Sequence, residues 1–459
     1  MRATPAELCQ QVLDLVGDRA EAQVTAQRGR PALTRFANSF IHQNVGETGI
    51  SVSLKLALPD SPAGGWRVAA ATTTRADSEG LAALVDSTLA AAALRPVDPD
   101  WPGLAPPAPV ADVEHYDGAT EEATPDERAR RVRAFVDSGP GLRAAGYCDT
   151  DGGTTAFANS AGQRAAARSS RATMDGIHQT ADSAGSGHAT AVRLTDLDAG
   201  GVGAAAADRA LRSQAAGDVE PGEYEVVLEP ECVATILIFL AFYGFNAKQV
   251  IEGQSGIRLG EAQFDPAVSI WDDATDPAAL GLPFDADGTP KRRLDLVRAG
   301  TAAALAHDRR TARRFSLTSS ATESTGHAVG ESDAYGPIPS NLFLGPADAS
   351  FGAGTADLIA STGRGLLVTT FNYCRILDPK TQVVTGLTRN GTFLIEDGKV
   401  RGGVKNMRFT QSFLEALAPG NVLGISREAR FADSEFGAGL VHCPAVRLGS
   451  WRFTGGARG

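Results

Sequence analysis

Residues 363–417 read GRGLLVTTFNYCRILDPKTQVVTGLTRNGTFLIEDGKVRGGVKNMRFTQSFLEAL. Short apolar runs alternate in this stretch with turn residues, a pattern typical of strands. The pattern predicts one strand over Gly365–Phe371 and a second over Gly391–Ile395 that returns along Lys399–Val404. The residues between the last two, Glu396-Asp397-Gly398, favour a tight hairpin, because Asp-Gly supports a turn whose twist matches that of the strands. The stretch therefore predicts a C-terminal region built mainly of strands.

Upstream of this stretch, helix and strand patterns follow one another without a regular alternation. Thr4-Pro5-Ala6-Glu7 and Thr124-Pro125-Asp126-Glu127 both have the form of a capping box that starts a helix. Between Ile50 and Leu58 apolar residues occupy every second position, which predicts a strand with one buried face. We therefore expect an α+β protein, with an N-terminal α/β region followed by a strand-rich C-terminal domain.

Proline-rich segments divide the chain into predicted parts. Arg95–Pro109 contains six prolines, and because proline lacks a backbone donor this segment is expected to connect two folded units. Pro221-Gly222 marks the next boundary. The predicted parts are an N-terminal α/β subdomain (1–94), a proline-rich connector (95–124), a middle α/β subdomain (125–220) and a strand-rich C-terminal domain (221–459).

The composition argues against several functional classes. The chain has 459 residues and a formal net charge of −11, without the basic stripe that neutralises nucleic-acid phosphates. The longest apolar run, Val233–Phe245, is shorter than the ~20 residues that a membrane helix needs. Met1–Glu7 lacks the apolar core of a secretion signal, and the five scattered cysteines do not suggest a disulfide framework. We expect a cytoplasmic protein that binds neither nucleic acid nor a membrane.

Several runs of this sequence resemble one known family. The stretch 363–417 and Gly336–Ser350 (GPIPSNLFLGPADAS) look like the C-terminal domain of the TldD/PmbA (TldE) proteins. Three earlier runs lie where that family has similar ones, namely Arg35–Asn44 (RFANSFIHQN), Phe157–Gly162 (FANSAG) and Phe284–Pro290 (FDADGTP). The chain is identified as a TldD/PmbA-like protein over most of its length.

The resemblance also implies where a zinc site would lie. The catalytic member of the family resembles a zinc metallopeptidase with a helical His-Glu-x-x-x-His motif after a Leu-x-Pro strand end. The equivalent strand end here is Val226–Pro230, and a count without gaps places the ligand and base positions on Ile238, Phe239 and Tyr243. Zinc takes imidazole, thiolate or carboxylate ligands, and these side chains offer none of them. The chain thus resembles the TldE-type subunit, and we expect no metal in it and zinc in a TldD-like partner.

Other candidate reactive residues carry weaker signals. The seven histidines include no two at a spacing of three to five residues, so a zinc site would need ligands from distant segments, which the sequence leaves open. Ser324 lies three residues before His327, but sequence neighbours rarely form a catalytic pair. His442 and Cys443 are adjacent, so on a strand they point to opposite faces. Cys374 is interpreted as a small buried hydrophobic residue, with a reactive thiol as the alternative.

The resemblance implies a heterodimer whose two C-terminal domains enclose one chamber. In that arrangement this chain is a non-catalytic subunit that shapes the chamber and binds an unstructured peptide or peptide-like substrate. An extended peptide would pair there with a strand edge. The substrate-binding or interface candidates are Phe371, Asn372, Tyr373 and Arg375, and we expect exposed apolar positions in Leu342–Leu344 and Phe371–Leu377.

Two other functions stay open at this point. One is an independent hydrolase that cleaves an amide bond in a small peptide-like metabolite. The other is a scaffold or binding protein that has lost peptidase function. A neighbouring gene for a TldD-like protein with the His-Glu-x-x-x-His motif would favour the subunit function. The sequence does not distinguish a modified peptide, an unfolded protein and a natural-product intermediate as substrate, and it does not fix the stoichiometry.

Overall fold

Three sheets with flanking helices make up the part of the chain that the computed structural model describes, which is residues 3–60, 64–318, 322–330, 332–347, 354–436 and 441–456. The architecture is α+β with a strand-rich C-terminal half, as the sequence predicts. None of the helices in these ranges combines the length and the apolar character that a membrane crossing requires.

The N-terminal half is an eight-stranded sheet with helices packed on one face. Along β6, the even-numbered residues from Ala144 to Ala158 face these helices, and the odd-numbered ones, such as Phe157, face the C-terminal half. The elements are α1 (Pro5–Val16), β1 (Glu21–Gly29), β2 (Ala32–Ala37), β3 (Phe40–Gly46), β4 (Gly49–Pro59), β5 (Trp66–Thr73), α2 (Ser78–Ala93), α3 (Gly118–Glu121), α4 (Pro125–Asp137), β6 (Arg143–Asn159), β7 (Arg164–Gln179), β8 (Ala184–Ala191) and α5 (Ala199–Arg212).

Strand β6 joins residues 1–94 and 125–220 into this one sheet. The sheet has the order β3-β2-β6-β1-β4-β5, and β7 pairs with the other edge of β6 and carries β8. One end of β6 pairs with β2, for example Cys148 with Thr34, and the other pairs with β1, for example Ala158 with Val24. The two segments separated by the proline-rich connector therefore share backbone hydrogen bonds.

The C-terminal half contains the other two sheets. A nine-stranded sheet has the order β15-β16-β19-β23-β9-β14-β17-β18 with β20 also on β23, and a six-stranded sheet has the order β12-β11-β10-β13-β22-β21. The elements are β9 (Gly222–Leu228), α6 (Pro230–Phe239), α7 (Ala247–Ile251), β10 (Val268–Asp272), β11 (Leu294–Arg298), β12 (Thr301–Ala302), α8 (Arg309–Thr318), α9 (Ser332–Tyr335), β13 (Leu342–Pro346), α10 (Thr355–Ala360), β14 (Arg364–Val368), β15 (Phe371–Asp378), β16 (Val383–Thr388), β17 (Thr392–Glu396), β18 (Lys399–Gly403), β19 (Met407–Ser412), α11 (Phe413–Ala416), β20 (Val422–Ile425), β21 (Arg430–Ala432), β22 (Val441–Cys443) and β23 (Val446–Gly456).

The local signals in the sequence form the structures that they predict. Thr4 and Thr124 each accept the N–H of the glutamate three residues on, and that glutamate caps the threonine N–H in return. Asp397 and Gly398 join β17 to β18 with positive φ angles of 50° and 70°, the conformation that a tight hairpin turn requires.

Polar contacts fasten the two halves of the molecule together. Arg209 on α5 forms an ion pair with Glu229, at the start of α6. Between β6 and β7, the Gln163 side-chain amide donates to the Gly288 carbonyl of the C-terminal half at 2.8 Å. The N-terminal sheet is thus held against the C-terminal half around α6, which lies in the largest apolar core among the described residues.

Candidate functional site

Helix α6 occupies the position where the resemblance places a zinc-binding helix. It begins at Pro230, whose fixed φ suits the first helical position, and it is apolar on nearly all sides. A π-helical turn, Leu240–Gly244, follows it and is closed by the Phe245 N–H, which donates to the Leu240 carbonyl at 2.8 Å. The apolar run Val233–Phe245 therefore forms most of an α-helix and the wider turn that continues it.

The three residues at the expected ligand and base positions pack as hydrocarbon and aromatic side chains. Ile238 packs against the core, and the Phe239 ring lies 5.3 Å from that of Phe436 and 6.0 Å from that of Tyr243. Partial burial raises the pKa of the Tyr243 phenol, so this side chain stays neutral at physiological pH. Phe436 is 49 % exposed and extends this aromatic cluster to the surface.

Strand β15 lies beside α6 at one end of the nine-stranded sheet and carries the predicted binding residues. Its pairing with β16 shifts register between Asn372 and Arg375, and Tyr373 in this bulge has a φ of 54°. A tyrosine in the left-handed region is uncommon and is found at turns, bulges and functional sites. The Tyr373 side chain is 63 % exposed, so the bulge presents its ring to the surface.

The expectation that Phe371 and Leu342–Leu344 are exposed is wrong. Phe371 is 1 % exposed, because its ring packs 4.6 Å from that of Phe409 and 5.1 Å from that of Trp451. Leu342, Phe343 and Leu344 lie in β13 with β10 on one side and β22 on the other, and all three are buried. Of the predicted set, Asn372, Tyr373 and Arg375 reach the surface.

Glu435 connects β15 to α6. Its carboxylate accepts a hydrogen bond from the Cys374 backbone N–H, and its own N–H donates to the Thr235 hydroxyl at 3.2 Å. Burial and then the charge of Glu435 raise the pKa of the Cys374 thiol, which agrees with its interpretation as a buried hydrophobic residue. The sequence did not reveal Glu435, because it lies 61 residues from Cys374.

Ser324 does not pair with His327. Instead the neighbouring Thr325 hydroxyl lies 2.9 Å from His327 Nδ1, and His327 Nε2 lies 3.1 Å from the carboxylate of Asp272. The order of hydroxyl, imidazole and carboxylate resembles a hydrolytic triad, but the side chains of His327 and Asp272 are completely buried. A histidine without access to a substrate cannot pass a proton to a leaving group, so this chain of contacts is structural.

The adjacent His442 and Cys443 point to opposite faces of β22, as the strand pattern predicts. The His442 ring lies 5.4 Å from that of Phe343 and 5.3 Å from that of Phe431, whereas the Cys443 thiol contacts the Pro230 carbonyl at 3.3 Å. They therefore cannot ligate one metal together. All five cysteines are buried and unpaired.

Comparisons with solved structures show the same fold. The chain superposes on TldE from Thermococcus kodakarensis with a TM-score of 0.84 and 17 % identity, covering 98 % of this chain and 99 % of that one. A proposed modulator of DNA gyrase from Thermotoga maritima gives a TM-score of 0.82 at 18 % identity, covering 98 % and 100 % of the two chains.

Curated sequences give a narrower match. A metalloprotease of Methanothermobacter thermautotrophicus is 27 % identical over 232 residues, which is 49 % of this chain and 47 % of the relative. A metalloprotease of Methanocaldococcus jannaschii is 29 % identical over 168 residues, 36 % of this chain and 35 % of the relative. The chain thus matches at most about half the length of these relatives.

The family model for the PmbA/TldA metallopeptidase C-terminal domain matches residues 221–455, which is more than half of the chain and includes α6 and β15. This match agrees with the fold of the whole chain and with the runs of sequence that resemble TldD/PmbA proteins. The chain belongs to the PmbA/TldD family of metallopeptidase-related proteins.

Proposed function

We propose that this chain is the non-catalytic subunit of a heteromeric zinc peptidase, and that a TldD-like partner supplies the zinc. The observation that supports this proposal most strongly is the composition of α6 and its π-helical turn. Ile238, Phe239 and Tyr243 fall on the expected ligand and base positions and offer neither an imidazole nor a carboxylate. Helix α6 therefore holds no zinc in this proposal.

The shape of this helix supports a common origin with a metal-binding helix. In a regular α-helix, residues five apart point about 140° away from each other. A π-helical turn, with bonds between residues five apart, brings such residues closer to one face. Ile238 and Tyr243 are five apart and both half-buried beside that turn. The turn suits two ligands at the His-Glu-x-x-x-His spacing, although these ligands are missing here.

Strand β15 supplies the proposed peptide-binding edge. In the part of the chain that the structure describes, β15 pairs with β16 alone, so its other edge is open to an extended peptide. The Glu435 carboxylate already accepts the Cys374 N–H, a position that the carbonyl of a paired peptide would take. Main-chain pairing of this kind selects unstructured segments over folded proteins, whatever their side chains.

The two remaining functions lack a comparable observation. An independent amide hydrolase needs an accessible nucleophile and base, and the chain of Thr325, His327 and Asp272 is closed to a substrate. A scaffold without peptidase function would not need the π-helical turn at the ligand positions. We also propose a cytoplasmic location, which the five unpaired cysteines support.

Mixing experiments test the proposal directly. The chain and a TldD-like protein with the His-Glu-x-x-x-His motif are purified separately, and each alone and the mixture are incubated with casein-like and short peptides. We expect cleavage only in the mixture, a complex by light scattering, and loss of cleavage on chelation. Tyr373→Ala in this chain should reduce cleavage, and Phe40→Ala, which removes a 70 % exposed aromatic ring on β3, should not.

Two results would contradict the proposal. If the TldD-like protein cleaves at its full rate alone, and this chain neither binds it nor alters its products, the chain is not its subunit. If this chain alone cleaves peptides in the presence of a chelator, it contains a hydrolytic site of its own.

A further inference from the structure

Three side chains from the two halves of the molecule meet outside the α6 region. They are Asp175 on β7, His188 on β8 and Asp433, which follows β21. One ligand atom from each residue lies within 4.8 Å of the other two, and all three residues are half-buried. The residues are far apart in sequence, which explains why no spacing motif reveals them.

Strand register determines this meeting. Asp175 pairs directly with His188, so both side chains extend from the same face of the N-terminal sheet. Their neighbours Met174 and Ala189 point the other way, into the core beneath α4 and α5. Strand β21 of the C-terminal half packs against β8 on the face that carries Asp175 and His188, and it brings Asp433 close to both.

The orientation of His188 resembles that of a metal-binding imidazole. Its side chain is 8 % exposed, and Nε2 lies 3.0 Å from the Thr190 hydroxyl, which can accept the Nε2–H. Nδ1 lies 3.3 Å from the Asp175 carboxylate. In the tautomer with its proton on Nε2, the Nδ1 lone pair faces this carboxylate, and a cation between them removes the repulsion. In the other tautomer, Nδ1–H donates to Asp175 and the Thr190 hydroxyl donates to Nε2. An outer hydroxyl that fixes the tautomer is typical of the second shell of metal-bound histidines.

The cluster contains more negative than positive charge. Among the described residues, no hydrogen-bond donor or ion-pair partner reaches the Asp433 carboxylate. Arg171 lies 3.7 Å from Asp149 and Arg430 lies 2.6 Å from Glu231, and neither arginine forms an ion pair with Asp433. Two half-buried carboxylates beside one imidazole are a favourable environment for a divalent cation.

We propose that Asp175, His188 and Asp433 bind one divalent transition-metal ion of the zinc or manganese class. One imidazole and two carboxylates match the ligand preferences of these ions and leave further positions for water. The ion would connect the N-terminal sheet to the segment after β21. The proposal is independent of the subunit function. If it holds, the chain binds a metal ion at this site, and the expected absence of metal applies only to α6.

The test uses the full chain, stripped with a chelator and dialysed, and titrated with ZnCl₂ and MnCl₂ by calorimetry. Metal content is then measured after gel filtration. We expect about one ion per chain and a higher unfolding temperature with metal, because the ion binds the folded state. Asp433→Asn and His188→Gln should each weaken binding at least about tenfold, since losing a second-shell partner alone costs that much. His42→Gln, which changes an exposed histidine, should leave binding unchanged.

Stability without metal distinguishes a metal site from a structural ion pair. In the metal-free chain, Asp433→Asn should unfold at the same temperature as the wild type or higher, because it removes a carboxylate without a partner. Absence of binding at millimolar metal, or binding that Asp433→Asn leaves intact, would overturn the proposal. So would a lower unfolding temperature of metal-free Asp433→Asn, which would show that the carboxylate has a structural partner. None of these results depends on peptide cleavage, so failure here is separate from failure of the subunit proposal.

Discussion

Arg430 and Glu231 form a pair with two parallel hydrogen bonds, Nη1 to Oε1 at 2.6 Å and Nη2 to Oε2 at 2.8 Å, across 199 residues of sequence. Glu231 lies in the first turn of α6 and Arg430 begins β21. The pair therefore fixes the segment that carries Asp433, Glu435 and Phe436 against α6. Planar guanidinium and carboxylate groups give this contact a defined geometry.

Removing the arginine should destabilise the protein. Arg430→Ala leaves the Glu231 carboxylate, 10 % exposed, without its partner. Breaking a buried pair costs about 3–5 kcal/mol, and we expect about 1–3 kcal/mol here because the Arg430 side chain is 40 % exposed. Urea unfolding of both proteins measures the difference. Arg401→Ala, which breaks an exposed pair 3.7 Å from Asp397, should change stability by less than about 0.5 kcal/mol.

The loss of stability caused by Arg430→Ala should depend on pH. Burial alone would raise the pKa of Glu231, but the charge of Arg430 and its hydrogen bonds lower it below the usual value. A depressed carboxylate pKa contributes stability above the pKa of the unfolded chain, about 4.3 for glutamate, and that contribution is lost as pH falls through the folded value. The difference in free energy of unfolding between the wild type and Arg430→Ala should therefore narrow below about pH 4. A difference that widens on acidification would show that the pair is not the source of the stability.

Phe371 and Tyr373 should respond in opposite ways to the same substitution. Phe371→Ala removes a ring packed against Phe409 and Trp451 and should cost about 3–5 kcal/mol of stability. Tyr373→Ala removes a ring that is 63 % exposed, so the free energy of unfolding should change by less than about 0.5 kcal/mol. Denaturant melts check both values. Only the Tyr373 variant is then suitable for testing peptide capture, and equal losses of stability would contradict this division.

The contrast between Phe371 and Tyr373 shows which structural features can be predicted from the sequence. Hairpins and helix starts are specified within a few residues, and Asp397-Gly398 and Thr124 form the predicted turn and cap. Exposure within β15 depends on a bulge that places Tyr373 outside the regular alternation. A bulge is set by packing against other strands and has no fixed local signature for a non-glycine residue.

Long-range pairing limits the prediction of sites in the same way. The expected zinc position on α6 stays a prediction, which the resemblance gives by counting along one helix. The meeting of Asp175 with His188 follows from the register of two strands, and Asp433 arrives from the other half of the chain. The register of distant strands is determined by the whole core, so these contacts become visible only in the folded protein.

A buried carboxylate in the six-stranded sheet gives a second pH-dependent contribution. Burial opposes ionisation of Asp272, but the neighbouring His327 and Lys291 and the Asn341 N–H together lower its pKa to about 2. Relative to an unfolded value of about 3.9, this shift corresponds to about 3 kcal/mol, present above pH 4 and lost between about pH 4 and pH 2. Asp272→Asn should thus be less stable than the wild type by about 3 kcal/mol at pH 7, and this difference should narrow towards pH 2.

Urea unfolding of wild type and Asp272→Asn across this pH range measures the contribution. Asp86→Asn is a suitable control, because the Asp86 side chain is 77 % exposed and lies 3.9 Å from its partner Arg19. The free energy of unfolding of Asp86→Asn should stay close to that of the wild type at every pH. If the difference between Asp272→Asn and the wild type does not change with pH, the loss of stability comes from altered packing instead of charge.

Glu435 should act as an internal competitor of the substrate. Its carboxylate accepts a hydrogen bond from the Cys374 N–H at the open edge of β15, so a peptide that pairs with this edge as proposed would have to displace it. Glu435→Ala removes one hydrogen bond to a charged acceptor and should cost about 1–2 kcal/mol of stability. In the complex with a TldD-like partner, Glu435→Ala should lower KM for an extended peptide about threefold to tenfold while kcat stays unchanged, because the partner's zinc site is not altered.

Glu428→Ala is the control. It changes an exposed glutamate before β21 and should alter neither KM nor kcat. A raised KM for Glu435→Ala would mean that the carboxylate itself holds the substrate, and an unchanged KM would place the peptide away from β15.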